Sequence, residues 1–253
     1  MASDSLLIAS DRGVMTLTLN RPAKRNALDT PTLAALEDAL VNAELDAGVR
    51  VVALRGAGKD FCAGADLDEL LASANRTMDE NEAAALRMGA VFLRIRQLPK
   101  PVVAVVHGRV LAGGCGLATA CDLILSPDSA VFGYPEIQRG FVPAMVMTML
   151  RRAVGEKVAF DLAATGRTLS AAEAGAAGLV SRVVPDADFE RVTGEVLAAL
   201  AGASASALAL TKRQFHELDG LPFEEGIRLG AKVNALARAH PDFRTAIAAF
   251  LKK

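Results

Sequence analysis

The sequence predicts an α/β fold that carries a C-terminal helical region. Short runs rich in β-branched residues, such as Val51 to Leu54 and Val102 to Val106, alternate with segments of helical apolar spacing up to Val184. Beyond that point only helical patterns follow, at about 187–200, 204–216, 223–239 and 242 to the end. Alternating strands and helices favour one α/β core, and the helices after it favour an appended helical region.

Composition excludes several classes of function. The 253 residues are 52% hydrophobic with a mean hydropathy of +0.30, yet no run of 18 uncharged apolar residues predicts a membrane helix. The N-terminus shows no signal-peptide pattern, so we expect a cytoplasmic protein without a membrane partner. A net charge of −1, only 4% aromatic residues and no Trp argue against a nucleic-acid partner. The cysteines, Cys62, Cys115 and Cys121, have no metal-ligand spacing and are expected to be free thiols, with no metal site.

Capping residues mark the predicted helices. Thr30 is expected to cap a helix with Pro31 at its first position and an apolar face from Leu33 to Leu45. Helices are also expected at 67–74, 82–98, 142–154 and 156–165. Ser170 and Glu173 have capping-box spacing and open a further helix, which a strand at 179–184 follows.

The stretch from Pro101 to Glu136 organises the chain. A buried strand leads through a turn into the glycine cluster 112–116, and a short helix at 117–121 follows. Strands at 122–125 and 130–132 then lead to Pro135 and Glu136. Backbone N–H groups at a helix N-terminus attract negative charge, so this stretch predicts an anion-stabilising site with an acid delivered nearby.

Two nucleotide-binding motifs fail on inspection. A dinucleotide fingerprint starting at Gly56 would need its third glycine at Phe61. A phosphate-binding loop ending at Gly58-Lys59 would need glycine at Ala53 and Ser or Thr at Asp60. Neither motif is present.

A series of motifs along nearly the whole chain resembles the crotonase (enoyl-CoA hydratase/isomerase) superfamily. The motifs are Asn20-Arg21-Pro22 with Asn26-Ala27-Leu28, the segment 61–67, the segment 111–122, the segment 132–140, the segments 165–166 and 172–180, and the C-terminal 249–253. The resemblance implies a crotonase (ClpP-like) spiral of ββα units. Residues 1–200 would form the spiral core with an oxyanion hole and a catalytic acid, and residues 201–253 a C-terminal helical trimerisation region.

The same resemblance implies a substrate, an assembly and a catalytic group. The substrate would be an acyl-CoA thioester, with coenzyme A entering as part of the substrate and no separate cofactor. The assembly would be a homotrimer or a hexamer built as a dimer of trimers. The backbone N–H groups of Ala65 and Gly113 would form the oxyanion hole, and Glu136 would be the catalytic acid or base.

Departures from the family pattern favour one reaction. Hydratases of the family carry a first glutamate where this chain has Gly116. Ala144 stands where dienoyl-CoA isomerases, hydroxyacyl-CoA hydrolases and dehalogenases carry Asp. With Glu136 as the single acid/base, we expect isomerisation of 3-enoyl-CoA to 2-enoyl-CoA. The alternatives are a 2-enoyl-CoA hydratase that uses Glu136 alone and a non-catalytic acyl-CoA-binding subunit.

The remaining substrate-binding candidates come from matching positions. Lys24 and Arg25 would lie near the nucleotide end of coenzyme A, with a solvated basic turn as the alternative. Ala63 would contact the adenine through its backbone. Phe250 and Lys253 would reach a neighbouring subunit's nucleotide.

Two further residues near the motifs, Asp66 and Tyr134, belong to this candidate set. Three apolar residues would form a wall of the site. Asp66 is expected to cap the helix at Leu67 more than to do chemistry. Tyr134, close to Glu136 in the chain, is expected to be structural. Phe132, Val142 and Met145 would supply an apolar wall that raises the pKa of Glu136.

Overall fold

A computed structural model describes residues 5–252, and it contains nine strands and eleven α-helices in that range. The strands are β1 Leu6–Asp11, β2 Val14–Leu19, β3 Val51–Gly56, β4 Val102–Val105, β5 Arg109–Leu111, β6 Leu123–Pro127, β7 Val131–Gly133, β8 Thr168–Ser170 and β9 Arg182–Val184. The helices are α1 Thr30–Leu45, α2 Leu67–Ser73, α3 Met78–Gln97, α4 Gly113–Ala120, α5 Ala144–Val154, α6 Glu156–Thr165, α7 Ala171–Ala176, α8 Phe189–Gly202, α9 Ala205–Glu217, α10 Phe223–Ala239 and α11 Pro241–Phe250.

The strands form two sheets. The larger has the order β1-β2-β3-β4-β6-β9, in which β1 and β2 are antiparallel and all other neighbours are parallel. The smaller has the order β5-β7-β8, with β5 parallel and β8 antiparallel to β7. The predicted α/β class and the helices-only C-terminal region are both present.

The central strands are buried on both faces. Val51 and Ala53 of β3 face an apolar cluster completed by helix α8, whereas Val52 and Leu54 face the larger core. Side chains alternate along a strand, so a strand covered by helices on both sides must be apolar at every position. This explains the unbroken apolar runs of β3 and β4 in the sequence.

The first helix corrects two expectations. Its cap is Asp29, whose carboxylate accepts the backbone N–H of Thr32, and Thr30 is already helical. Leu45, expected on the apolar face, is 78% exposed because the helix ends there. The capping box of Ser170 and Glu173 is formed as predicted, and a second one at Thr77 starts α3 four residues before the predicted start at Glu82.

Strands β1, β5 and β8 were not predicted from the sequence. Strands β5 and β8 are three residues long, too short to show a period-2 pattern. Strand β1 is an edge strand with five exposed residues, so its sequence has little apolar alternation. Together β5 and β8 flank β7, and this small sheet fixes the chain on both sides of α4.

Helix α9 is tied to the core by a buried lysine. The Nζ of Lys212 lies 2.7 Å from Asp122 and donates hydrogen bonds to the carbonyl oxygens of Ile95 and Lys100, at 2.7 and 3.0 Å. Asp122 also accepts the backbone N–H of Val102 at 2.7 Å. Helix α9 is therefore anchored to the start of β4 and the end of α4.

Among residues 5–252, no single helix is long and apolar enough to cross a membrane. One pair, Asp186–Gly202 with Ala205–Glu217, reaches that length and composition only when its two arms, bent by 102°, are taken together.

Candidate active site

Helix α4 begins with its glycines pressed against the loop 61–66. A Cβ on Gly114 would overlap the backbone oxygen of Cys62 and lie 2.7 Å from its Sγ, so this approach requires glycine. Ala112, just before the helix, has a φ of 52° and is held there by a 2.8 Å hydrogen bond from its N–H to Gly133. The N–H of Gly113 is in the first turn of the helix and has no acceptor within it.

The loop 61–66 presents a second N–H through a one-residue bridge. The N–H of Leu28 donates to the oxygen of Gly64 at 2.8 Å, and the N–H of Asp66 donates to the oxygen of Leu28 at 3.0 Å. Backbone groups of successive extended residues point to opposite sides. The N–H of Ala65, between these two bonds, therefore points away from Leu28.

These two N–H groups lie side by side. A Cβ on Gly113 would be 3.7 Å from the nitrogen of Ala65, and a Cβ on Gly64 would be 3.1 Å from the nitrogen of Gly113. Within the described part of the chain, neither nitrogen donates a hydrogen bond. A pair of fixed, unused donors at a helix N-terminus can stabilise a developing oxyanion.

Glu136 is the buried acid of the site. It lies in the short 3₁₀ helix Pro135–Arg139 with 9% of its surface exposed, and its Oε2 is buried without a hydrogen-bond partner among the described residues. Burial raises its pKa from 4.5, while a backbone hydrogen bond and Arg139 act in the opposite direction with less effect. A carboxylate with one unpartnered oxygen and increased proton affinity is suited to general acid–base catalysis.

The acid lies close to α4. Burial raises the pKa of the Cys115 thiol to about 12, and the charge of the neighbouring Glu136 contributes to that shift. Cys115 lies between Gly113 and Gly116 on α4, so the helix that supplies one N–H also carries a residue within electrostatic range of the acid. Cys115 itself is fully buried, as expected for a small core residue.

An apolar wall continues from the N–H pair along α4. A Cβ on Gly113 would meet the thioether of Met88 at 3.4 Å, whereas one on Gly116 would overlap Cγ1 of Val146 and lie 3.4 Å from Phe92. Residues 113 and 116 share one face of α4, as 88 and 92 share one face of α3. The position that carries an acid in hydratases of the family is therefore packed against side chains without any polar group.

Sequence reasoning missed this wall. Met88, Phe92 and Val146 belong to amphipathic helices, where apolar spacing indicates burial but not which element is the partner. Of the three predicted wall residues, Phe132 is fully buried and Met145 is half-buried against Gly89. Val142 is 53% exposed, which corrects its expected role in enclosing the acid.

Three of the predicted nucleotide-binding residues, Lys24, Arg25 and Ala63, lie close together. The N–H of Ala63 donates to the oxygen of Arg25 at 3.0 Å. The Nζ of Lys24 lies 2.6 Å from Asp68, and the guanidinium of Arg25 lies 3.9 Å from Asp60. Both basic side chains remain more than half exposed, so each is available to a phosphate at the price of a weak surface ion pair.

Two other candidates have structural partners. Asp66 caps α2 by accepting the N–H groups of Asp68 and Glu69, as predicted. Tyr134 is fully buried with its hydroxyl 3.2 Å from Oγ1 of Thr119, which places its side chain in the core rather than on a substrate surface.

The last three candidates lie at the periphery or outside the described residues. Ala144 is exposed at the first position of α5, and Phe250 is 74% exposed at the end of α11. Lys253 lies outside the described residues. Among the residues described, no group of three or more His, Cys, Asp and Glu side chains could hold a metal ion.

Comparison with known proteins identifies the family. The sequence profile of the family described as enoyl-CoA hydratase/isomerase matches residues 9–253. A Thermus thermophilus protein named "Putative enoyl-CoA hydratase" is 42% identical, covering 95% of each chain. The Escherichia coli 2,3-dehydroadipyl-CoA hydratase is 32% identical, covering 98% of this chain and 96% of its own.

Solved structures agree with this assignment. The crystal structure of an enoyl-CoA hydratase from Mycobacterium smegmatis is similar with a TM-score of 0.94 and 35% identity, covering 99% of this chain and 97% of its own. Human enoyl coenzyme A hydratase domain-containing protein 3 has a TM-score of 0.93 at 29% identity, covering 98% and 97%. The predicted crotonase fold is thereby confirmed, and the chain belongs to the enoyl-CoA hydratase/isomerase family as an enzyme of the crotonase superfamily.

Proposed function

We propose that this enzyme isomerises 3-enoyl-CoA thioesters to 2-enoyl-CoA thioesters with Glu136 as its single acid/base. One observation carries the proposal: Glu136 is a buried carboxylate with an unpartnered oxygen, whereas Gly116 is packed against Val146 and Phe92. A proton removed from one carbon and returned to another requires one base. Hydration additionally requires a positioned water, for which hydratases of the family provide a second acid.

The N–H groups of Ala65 and Gly113 would hold the thioester oxygen. As the C2–H bond breaks, its electron pair moves into the conjugated system and negative charge accumulates on that oxygen. Removing one donor from such a pair typically costs about 100- to 1,000-fold in rate. Their closeness, with a Gly113 Cβ only 3.7 Å from the Ala65 nitrogen, supports this role.

Glu136 would then move the proton. Its carboxylate accepts the proton from C2, which leaves a dienolate with charge shared between the thioester oxygen and C4. The same carboxyl group returns the proton to C4, and the double bond forms between C2 and C3. The raised pKa of Glu136 brings its proton affinity closer to that of the carbon acid, which favours both transfers.

Coenzyme A would bind as part of the substrate, without a separate cofactor. Lys24 and Arg25 would meet its phosphates and the backbone of Ala63 its adenine. Their clustering at one turn supports this assignment, since Ala63 and Arg25 are joined by a backbone hydrogen bond. Phe250 and Lys253 would reach the nucleotide of the coenzyme A bound by a neighbouring subunit.

Assembly into a homotrimer or a dimer of trimers is part of the proposal, with residues 201–253 as the trimerisation region. The C-terminal helices expose large apolar side chains, including Phe215 at 74%, Phe223 at 83% and Phe250 at 74%. Such exposure over one region is typical of a surface that is covered in an assembly. Sedimentation equilibrium of the full chain would give a mass of three or six subunits, and a monomer would contradict the assignment.

Hydration of 2-enoyl-CoA is the second candidate. It is favoured by the names of the relatives, among them the 42% identical Thermus thermophilus protein and the Escherichia coli hydratase. It would require Glu136 to act on a water that no second carboxylate positions.

Absorbance of the conjugated thioester separates the two candidates. With 3-enoyl-CoA and 2-enoyl-CoA of equal chain length, an isomerase increases this absorbance from the first substrate and leaves the second unchanged. A hydratase decreases the absorbance of the 2-enoyl-CoA, because hydration removes the conjugated double bond. Glu136→Gln should lower turnover by about 100- to 10,000-fold while the substrate still binds. Undiminished turnover in that variant would assign the chemistry to another group.

A further inference from the structure

The contact between Gly116 and Val146 is a feature that the proposed reaction does not by itself require. A glycine at position 116 would be enough to remove a second acid. The structure goes further, because Cγ1 of Val146 occupies the space of a residue-116 Cβ and Cβ of Val146 is 3.1 Å from it. Val146 is only 4% exposed, and Phe92 closes the same space from α3.

Whether water can enter the space beside Gly116 depends on whether a side chain fills that space. A glycine facing an open cavity would leave room for water beside the backbone groups of α4. A valine in that position fills the volume with apolar atoms, and water does not enter an apolar space of that kind. The Cβ branch makes valine stiff in a helix, so the side chain cannot turn aside easily.

We propose that Val146 is a specificity-determining residue that keeps water, and any side chain on residue 116, out of the site. The proposal rests on the proposed function of Glu136. It assigns the choice between proton return and hydration to a residue of α5 that matches none of the chemistry-bearing motifs of the sequence. Gly116 and Val146 act as a pair: substituting the glycine alone should give a strained protein and not a hydratase.

A packing test comes first, with thermal unfolding as the readout. Gly116→Ala should lower the melting temperature clearly in the wild-type background, and this loss should shrink when Val146→Gly is also present. Val146→Thr is the matched control, because threonine keeps both branches at Cβ, so the loss should persist in that background. An equal loss in all three backgrounds would overturn the contact on which the proposal depends.

The reaction test uses 2-enoyl-CoA. Gly116→Glu alone should give no gain in hydration, whereas Gly116→Glu combined with Val146→Gly should hydrate about 100-fold faster than the wild type, the usual size of a general acid–base contribution. Gly116→Glu combined with Val146→Thr should behave as the single variant. Equal hydration by the single and the double variant, or a folded double variant without any gain, would overturn the proposal.

Failure of the proposed function would appear in different measurements. If the wild type does not isomerise 3-enoyl-CoA, or if Glu136→Gln isomerises normally, the proposed function fails whatever the residue-146 variants do. If the wild type isomerises but already hydrates 2-enoyl-CoA at a comparable rate, water has access and the role of Val146 is overturned while that of Glu136 stands.

Discussion

The guanidinium of Arg21 lies 2.8 Å from the carboxylate of Asp66, the residue that follows Ala65 in the chain. Arg21 also donates to the carbonyl oxygen of Ala27 at 2.6 Å. The other oxygen of Asp66 accepts the N–H of Asp68 at 3.0 Å, at the start of α2. One carboxylate therefore joins the loop 61–66, the turn after β2 and the first turn of α2, and so fixes the peptide that presents the Ala65 N–H.

The Asp66 carboxylate should make stability depend on acid pH. Burial by itself would raise its pKa, but the hydrogen bonds from Arg21 and the α2 backbone prevail, and the pKa is lowered from 3.8. A lowered folded-state pKa stabilises the protein above the unfolded value, and this contribution is lost as the pH falls through the folded value. Asp66→Asn should be destabilised at pH 7 by about 1.5–3 kcal/mol, the range of hydrogen bonds to charged groups.

Urea denaturation of both proteins between pH 7 and pH 3 checks this. The difference in unfolding free energy should narrow as the pH falls below 4. A difference of constant size across that range would show that the ionised carboxylate is not the stabilising form.

Glu136 should have the opposite effect on stability. Because burial raises its pKa above 4.5, the folded state binds its proton more tightly than the unfolded state. Stability from this group is present below the unfolded pKa and is lost as the pH rises through the folded one. Glu136→Gln should therefore become more stable relative to the wild type as the pH rises from 4 to 8, as measured by chemical denaturation. If the difference in unfolding free energy between Glu136→Gln and the wild type stays constant over that range, this would contradict the burial of an ionisable carboxyl group at position 136.

The same shift should appear in the kinetics. Glu136 must be ionised to remove a proton, so kcat/KM for the 3-enoyl substrate should fall on the acid side with an apparent pKa above 4.5. A profile that stays flat down to pH 4.5 would assign the base elsewhere.

Gly114 should tolerate no side chain. A Cβ there would overlap the backbone of Cys62, so Gly114→Ala has to displace α4 from the loop 61–66 and should lower both the melting temperature and kcat. The matched control is Gly194→Ala in α8, where a Cβ meets nothing within 4 Å and helix propensity should add about 1 kcal/mol of stability. Thermal unfolding of the two variants should thus shift in opposite directions. If Gly114→Ala leaves the melting temperature and kcat unchanged, α4 can move away from the loop 61–66 without loss of stability or activity.

Lys212 should be the most sensitive residue of α9. Its side chain is 7% exposed and pairs with Asp122, whose side chain is 20% exposed, so Lys212→Met leaves a partly buried carboxylate without its lysine. Breaking a fully buried pair typically costs about 3–5 kcal/mol, and the loss here should lie near the lower end of that range. Adding Asp122→Asn should recover part of the loss, which denaturation of the two variants would measure. If Lys212→Met loses less unfolding free energy than the removal of an exposed ion pair, such as the one between Arg191 and Glu195, then α9 is held by other contacts.

The sequence by itself determined the α/β class, the buried strands β3 and β4 and the capping box at Ser170, and its resemblance to the crotonase superfamily proposed Glu136 as the acid. The strands and the capping box depend on neighbouring residues, because strand burial and capping are visible within a few positions. The glycine cluster 112–116 likewise predicted a helix N-terminus with close backbone approach, although α4 begins within the cluster at Gly113 and not after it at the predicted 117.

Only the tertiary structure decided what surrounds those groups. The bridge between Leu28 and Ala65 turns the Ala65 N–H toward Gly113. No local sequence pattern encodes a pairing between residues so far apart in the chain. The wall of Met88, Phe92 and Val146 depends in the same way on how α3 and α5 pack against α4. Helical periodicity indicates that a residue is buried, whereas the packing of one helix on another decides which residue it faces, and here that choice sets what surrounds Gly113 and Gly116.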